Sequence, residues 1–259
     1  MTMPYLPRRS RIRPSPIFLG VLALALLSGG YVWQAQDATK ANRALAFVFV
    51  IAAWIVTLCL HEFAHAYLAW RFGDRDVEAR GYLTLNPLKY THPVLSILLP
   101  VVFIAMGGIG LPGGAVYVHT HMFRSRFQKA AVSLSGPAMN LVAAVLLLAA
   151  FKAWSSNAHS IFWLAVGFLA FLQVTATVLN LLPIPGLDGY GALEPYLKPE
   201  TQRSFEQFKA FGMLAVFALL TVPQLNRIFF DAVYWLFELS GVSSINASIG
   251  NSLVRFWQL

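Results

Sequence analysis

The sequence predicts an all-α polytopic membrane protein, on the evidence of its composition and the length of its apolar stretches. Of its 259 residues, 58% are hydrophobic and only 12% are charged, whereas about 25% of the residues in a soluble domain are charged. Most of the uncharged stretches approach or exceed the ~20 residues that a helix needs to cross a bilayer. These stretches are 17–33, 44–60, 93–118, 130–151, 161–187 and 210–226. We therefore expect about six transmembrane helices in contact with a lipid bilayer.

The N-terminal segment is basic and lies directly before the first apolar stretch. Its basic residues are Arg8, Arg9, Arg11 and Arg13. Because Lys and Arg favour the cytoplasmic side of membrane helices, we expect a cytoplasmic N-terminus. The stretch lacks a convincing small-residue cleavage site, which favours an uncleaved helix over a signal peptide. The second span, 44–70, then returns the chain to the cytoplasmic face of what we expect to be a bacterial-type inner membrane.

The net charge of +8 does not indicate a nucleic-acid partner, because the basic residues are scattered through loops between apolar spans. Membrane orientation explains them better. Near the C-terminus, residues 228–242 include Asp231 and Glu238. This weaker segment either spans as a helix packed in the bundle or lies at the membrane interface. Nothing in the sequence indicates an oligomeric state.

A possible zinc-binding pattern, His61-Glu62-Phe63-Ala64-His65, lies near the end of the apolar run 44–70. On a helix, two His at i and i+4 share one face and can hold one zinc, with the intervening Glu beside the metal as a general base. The alternative is that these side chains only stabilise helix contacts. Ionisable groups within a membrane segment are costly and indicate function, so we favour the metal. Cys59, the only cysteine, points to another side of the helix, which indicates packing.

A third ligand must come from another part of the chain, and Asp188 is the favoured candidate. It follows the apolar stretch 161–187 and a group of helix breakers, Pro183, Pro185 and Gly186. These residues predict an unwound backbone that aims Asp188 into the protein. Taken alone, Asp188 could equally begin a solvated loop. The two-His pattern makes the ligand interpretation the stronger one.

The shared metal requires an even number of crossings between the histidines and Asp188. Three apolar stretches separate them, so one of the three must not span. Segment 93–118 is the obvious choice, because Gly and Pro interrupt it repeatedly. Such a segment can enter and leave by one membrane face when protein or a water-filled cavity surrounds its backbone. We therefore predict a re-entrant segment there.

The loop 71–92 is the best candidate for extended structure. Residues 77–85 contain β-forming residues with partial alternation, which predicts a short β-hairpin or edge strand. An edge strand could hold an unwound peptide through main-chain hydrogen bonds. A plain connecting hairpin is an equally good interpretation.

Three motifs in order resemble those of the site-2 proteases, a family of intramembrane zinc metalloproteases. They are the 61–65 motif, Gly-Pro-Ala-Met-Asn at 136–140, and the segment from Asn180 through Asp188 to Gly189. The segment 81–88 is also similar to the compact form of the family, which has no PDZ or CBS domain. The resemblance covers about residues 44–195, and the ordered combination is more specific than any single motif.

This resemblance implies that His61, His65 and Asp188 bind one Zn²⁺ per chain and that Glu62 is the catalytic base. It also implies that Asn140 assists near the substrate. Asn180 and Pro183, in the third motif, are the candidate substrate-binding residues. The implied substrate is the transmembrane segment of a membrane protein or peptide, cut in regulated intramembrane proteolysis.

We expect residues 1–259 to form a single integral membrane domain, with the catalytic core at about 44–195 and C-terminal helices at 210–242. Two other functions stay open at this point. One is a metal-binding membrane transporter, which would use the same ligands without needing Glu62 as a base. The other is a protein that binds transmembrane helices without cutting them. The presence of Glu62 beside intact ligands favours the enzyme.

Overall fold

The computed structural model describes residues 12–90, 98–105, 108, 116–206 and 211–258. Helices dominate these ranges, and none of the residues in them forms a strand. The α-helices are α1 (Pro16–Gln34), α2 (Lys40–Arg71), α3 (Asp76–Ala79), α4 (Leu99–Ala105), α5 (Arg126–Trp154), α6 (Ser160–Leu181), α7 (Asp188–Leu193), α8 (Pro199–Glu206), α9 (Gly212–Thr221), α10 (Pro223–Glu238) and α11 (Ser244–Val254). The prediction of a helical membrane protein is confirmed at this level.

Four of the described helices, α1, α2, α5 and α6, are long and apolar enough to cross a membrane. Helices α9 and α10 add a fifth span if they count as one, but they are bent by 87° where Pro223 begins α10. The described residues thus provide four or five candidate spans, fewer than the six or so that the sequence predicts. The apolar run 210–226 also does not form one helix, since α9 ends before Val222 and Pro223 has no N–H to continue it.

Helix α6 lies at the centre of the bundle. Its most apolar stretch is 78% buried inside the protein, against 28%, 33% and 28% for α1, α2 and α5. The outer faces of those three helices are therefore available to lipid, while α6 packs on protein on most sides. A partly buried hydrogen bond joins α2, which carries the histidines, to α6, which leads to Asp188. Gln173 Nε2 of α6 donates to Thr57 Oγ1 of α2 at 2.8 Å.

Three connecting regions meet at one end of the bundle. The Ser15 N–H, at the start of α1, donates to the Thr84 carbonyl at 2.8 Å. The His119 N–H, shortly before α5, donates to Asp74 Oδ2 at 2.7 Å. The start of α1, the loop after α2 and the segment before α5 are therefore neighbours.

The β-hairpin or edge strand predicted at residues 77–85 is wrong. Helix α3 covers the start of that stretch, and a 3₁₀ turn covers Tyr82–Thr84. The N–H groups here donate to carbonyls three or four residues back, as from Arg80 to Asp76 at 2.9 Å, so none of those bonds forms a ladder. Leu85 has a left-handed backbone with φ of 57°, which interrupts an extended strand. Local backbone hydrogen bonds therefore determine the structure of this stretch, despite its content of β-forming residues.

The predicted re-entrant segment, 93–118, lies largely outside the described residues. Its main described part is α4, a helix of 7 residues. At a rise of 1.5 Å per residue such a helix is about 10 Å long, far short of the ~30 Å hydrocarbon core. Helix α4 does not cross a membrane by itself.

Candidate metal centre

Helix α2 carries the first three site residues on its inner side. His61, Glu62 and His65 are 6%, 4% and 7% exposed. The two histidines are one turn apart, so their rings lie one above the other on the same face. Buried ionisable groups need partners, and the partners of these three come from distant parts of the chain.

Asp188 approaches the histidines from the other side, at the start of α7. Helix α6 ends at Leu181, and an irregular connection leads to Asp188, in agreement with the helix breakers in the sequence. Gly189 makes the tight return possible, because a Cβ at this position would lie 2.2 Å from the Leu181 carbonyl oxygen. The end of α6 and the start of α7 thus pack backbone to backbone.

The structure brings His61, His65 and Asp188 into one cluster. The two Nε2 atoms are 3.1 Å apart. Asp188 Oδ2 lies 3.3 Å from His61 Nε2, and Oδ1 lies 3.4 Å from His65 Nε2. A tetrahedral zinc with ligands at about 2.0–2.1 Å separates its ligand atoms by about 3.3–3.4 Å. The three side chains therefore fit the geometry of one zinc, and they are the one such His, Cys, Asp or Glu group among the described residues.

Gly136 of α5 faces this cluster with no side chain. A Cβ there would lie 2.2 Å from His65 Nε2 and 2.6 Å from His61 Nε2. The first distance is close to a zinc–nitrogen bond of about 2.0–2.1 Å, and the second is longer. The glycine thus leaves space beside the ligating nitrogens of both imidazoles.

The backbone of α5 orients His65. The His65 Nδ1–H donates to the Val132 carbonyl at 2.7 Å, and the same carbonyl accepts the Ser135 hydroxyl at 2.6 Å. A donor at Nδ1 leaves Nε2 unprotonated and ready to bind a metal. His61 Nδ1 is buried without a hydrogen-bond partner in the described ranges, so His65 is the more firmly oriented ring.

Asp188 presents one carboxylate oxygen to each histidine of the cluster. A carboxyl group binds a metal in its deprotonated form, so this arrangement supplies the anionic ligand of the site.

Glu62 lies beside the cluster with its two oxygens in different environments. Oε2 accepts the Val116 N–H at 3.0 Å. Oε1 lies 4.0 Å from His61 Nε2, too far for a ligand contact but beside the place where the three ligand atoms converge. One oxygen is thus anchored, and the other faces the centre.

The remaining candidates lie near the centre to different degrees. Asn140 is 5% exposed and is four residues from Gly136, on the same face of α5; its amide makes no hydrogen bond to another described residue. Asn180 is half-buried at the end of α6, and Pro183 is exposed in the connection to α7.

Sequence reasoning missed two backbone groups, the Val132 carbonyl and the Val116 N–H. Neither has a signature in residue type, since any residue other than proline carries both groups. The role of Gly136 had a signal in the 136–140 motif, although the motif does not say what the glycine contacts.

Relatives match most or nearly all of this chain. Zinc metalloprotease Rip2 of Mycolicibacterium smegmatis is 60% identical over 252 residues, which are 97% of this chain and 97% of that protein. Rip2 of Mycobacterium tuberculosis is 55% identical over 253 residues, again 97% of each. Zinc metalloprotease YwhC of Bacillus subtilis is 31% identical over 190 residues, 68% of this chain and 81% of YwhC. No family model and no solved structure gives a significant match. These relatives, with the three motifs in order, show that the chain belongs to the site-2 protease family of zinc metalloproteases.

Proposed function

We propose that His61, His65 and Asp188 hold the zinc of this metalloprotease and that Glu62 is its general base. The chain is a zinc-dependent endopeptidase by its family; the roles of individual residues are the proposal. The observation that carries it is the triangle of ligand atoms, with sides of 3.1, 3.3 and 3.4 Å. A buried carboxylate beside that triangle supplies the base that hydrolysis needs.

Glu62 moves the proton in this mechanism. Its Oε1 takes a proton from water as the water oxygen attacks the carbonyl carbon of the scissile peptide bond. Glu62 then gives that proton to the leaving nitrogen as the C–N bond breaks, which regenerates the carboxylate. The Val116 N–H holds Oε2 meanwhile, so the side chain keeps one orientation through both transfers.

Zinc bound to the three ligands supplies a Lewis acid that lowers the pKa of water and polarises the carbonyl. Asn140 is positioned to help from α5, because its buried amide is uncommitted among the described residues. An N–H donor aimed at the developing oxyanion stabilises the transition state more than the ground state.

The substrate we propose is a transmembrane segment of a membrane protein. His61 lies ten residues before the end of α2, so it is about 15 Å along the helix from that end. In a bilayer core of ~30 Å, such a site lies well inside the membrane. Asn180 and Pro183, next to the break between α6 and α7, are proposed to contact the unwound substrate.

We further propose a multi-pass inner-membrane protein with a cytoplasmic N-terminus and active-site mouth. This topology is supported by the position of the basic residues, which favour the cytoplasmic side. They concentrate at the end of the bundle where the start of α1, the loop after α2 and the segment before α5 meet. The whole chain is proposed to be one membrane domain, with its catalytic core at about 44–195 and its C-terminal helices at 210–242.

The substitution Glu62→Gln tests the proposed mechanism. Purified enzyme is added to proteoliposomes made from bacterial membranes, and mass spectrometry identifies new peptide termini. Wild type should create termini inside transmembrane segments, whereas Glu62→Gln should reduce their rate by 10²- to 10⁴-fold while keeping its zinc. Glu238→Gln changes an exposed carboxylate in α10 and is the matched control. Undiminished cleavage by zinc-loaded Glu62→Gln would refute Glu62 as the base.

A further inference from the structure

We propose that Asp74 is a positioning residue for Glu62, acting through the backbone segment Val116–His119. This inference rests on the proposed role of Glu62 as general base. Asp74 lies just beyond the end of α2, outside all three motifs of the family, and it does not contact the metal-centre residues. Its connection to the site runs through two hydrogen bonds from the same short segment.

The first of these bonds reaches Glu62. The Val116 N–H donates to Glu62 Oε2 at 3.0 Å, and it is the one hydrogen bond to this carboxylate within the described ranges. A buried carboxylate with a single donor takes its orientation from that donor. The direction in which Oε1 faces therefore depends on where the Val116 backbone lies.

The second bond holds the same segment three residues later. The His119 N–H donates to Asp74 Oδ2 at 2.7 Å, the short distance typical of a bond to a charged acceptor. Residues 116–119 have no regular secondary structure, so no helix or sheet fixes their backbone. Because three residues span at most ~10–11 Å, the bond at His119 limits how far the Val116 backbone can move.

Asp74 itself is rigidly placed. Its side chain is 1% exposed, and its N–H donates to the Ala69 carbonyl at the end of α2 at 3.0 Å. Its other oxygen, Oδ1, accepts the Asp76 N–H at 3.1 Å and lies 3.5 Å from His119 Nδ1. Both Asp74 oxygens thus have a polar partner. The two carboxylates that hold the segment are both fixed to α2, because Glu62 belongs to this helix and Asp74 is hydrogen-bonded to its end.

A simpler role for Asp74 would be to support the turn that begins α3. Its bond to the Asp76 N–H does so, but that bond uses only Oδ1 and can form at an exposed position. The turn explains neither the burial of the charge nor the bond from Oδ2 to a residue 45 positions away in sequence. A buried carboxylate is costly without several donors, and the segment supplies the additional ones.

Hydrogen exchange measured by mass spectrometry tests the tether without any substrate. In Asp74→Ala, the amides of residues 116–119 should exchange at least tenfold faster than in wild type, with zinc content and exchange in α6 unchanged. Asp74→Asn keeps an acceptor oxygen and should restore most of the protection. Asp231→Ala removes an exposed carboxylate of α10 that pairs with Arg227 and is the control, with wild-type exchange expected at 116–119.

The cleavage assay with bacterial-membrane proteoliposomes then tests the effect on Glu62. We expect Asp74→Ala to lose at least tenfold in the rate of new termini, with Asp74→Asn between it and wild type. Unchanged exchange at 116–119 in Asp74→Ala would overturn the tether, and faster exchange with undiminished cleavage would overturn the positioning role. If wild type makes no new peptide termini, the proposed function fails. Hydrogen exchange at Val116, measured in Glu62→Ala and in Asp74→Ala, still decides whether Asp74 and Glu62 are coupled through this segment. If Asp74→Ala misfolds, seen as faster exchange in α6, Asp74→Asn decides both points. Exchange at 116–119 and cleavage that stay at wild type or change together support the proposal, and a change in only one of them contradicts it.

Discussion

Gly136 of α5 and His65 of α2 approach so closely that a methyl group on the glycine would lie 2.2 Å from His65 Nε2. The contact occurs one turn after Val132, whose carbonyl accepts the His65 Nδ1–H at 2.7 Å. Helix α5 therefore both orients the imidazole and leaves space at its ligating atom. A small residue at 136 is a requirement of the metal centre as well as of helix packing.

The substitution Gly136→Ala should weaken zinc binding. Its Cβ would overlap both ligating nitrogens, so either the rings rotate away or α5 moves outward. Changes to the groups that orient ligands cost about 10- to 100-fold in metal affinity, and we expect at least this loss from a direct overlap. Competition with a zinc chelator measures it.

Gly30→Ala is the control for a glycine-to-alanine change within a membrane helix. A Cβ at Gly30 of α1 would meet no atom within 4 Å, so zinc affinity should stay at the wild-type value. Wild-type zinc affinity in Gly136→Ala would show that the metal does not occupy the space between these rings.

The substitution Asp188→Ala removes the one proposed oxygen ligand. The two histidines alone leave the site short of the three protein ligands of a catalytic zinc, so zinc content should fall from about one per chain to well below half. Elemental analysis of purified protein measures this. Asp231→Ala removes an exposed carboxylate that pairs with Arg227 and should keep its zinc; full zinc content in Asp188→Ala would exclude Asp188 as a ligand.

The proximity of His61, His65 and Asp188 could be predicted, because it follows from residue type and spacing in the sequence. Two His at i and i+4 must share a helix face, and Pro183 and Pro185 must interrupt a helix before Asp188. The bonds to Val116 and Asp74 could not be predicted. They depend on where an irregular segment, 54 residues beyond Glu62, returns to α2, and no periodicity in the sequence encodes that return.

The errors in the fold prediction have the same origin. Residue types in 77–85 favour strands, but a strand needs a partner, and local bonds formed instead. The apolar character of 210–226 indicated one helix, although Pro223 allows a sharp bend within it. Residue types thus predicted that 77–85 is structured and that 210–226 is apolar. They did not predict which backbone N–H and carbonyl groups form hydrogen bonds with each other.

Cysteine labelling should place the loop after α2 and the segment before α5 on the same membrane face. The contact between Asp74 and His119 requires this arrangement. Single cysteines at Glu78 and His121, in a Cys59→Ser background, should react with an impermeant maleimide in inside-out vesicles and stay unlabelled in right-side-out vesicles. A cysteine at Asp37, in the loop between α1 and α2, should show the opposite pattern. Labelling of position 121 together with position 37 would contradict the shared-face topology and the single metal centre.

The substitution Asn140→Ala should lower kcat while leaving KM and zinc content close to wild type. Asn140 lies one turn beyond Gly136, about 6 Å farther along α5, where its amide can face the oxygen of the scissile carbonyl. Removing one oxyanion donor costs about 10²- to 10³-fold in kcat, or about 2.7–4 kcal/mol. The measurement uses a transmembrane peptide chosen from the new termini that wild type creates.

Asn180→Ala separates this effect from substrate binding. Asn180 is half-buried at the end of α6, next to the break where the substrate is proposed to lie, and its loss should raise KM with kcat largely retained. Uniform binding contributes equally to ground state and transition state, whereas an oxyanion donor contributes mainly to the transition state. The two variants should therefore differ in which constant changes. If Asn140→Ala raises KM and keeps kcat, Asn140 holds the substrate and does not stabilise the oxyanion.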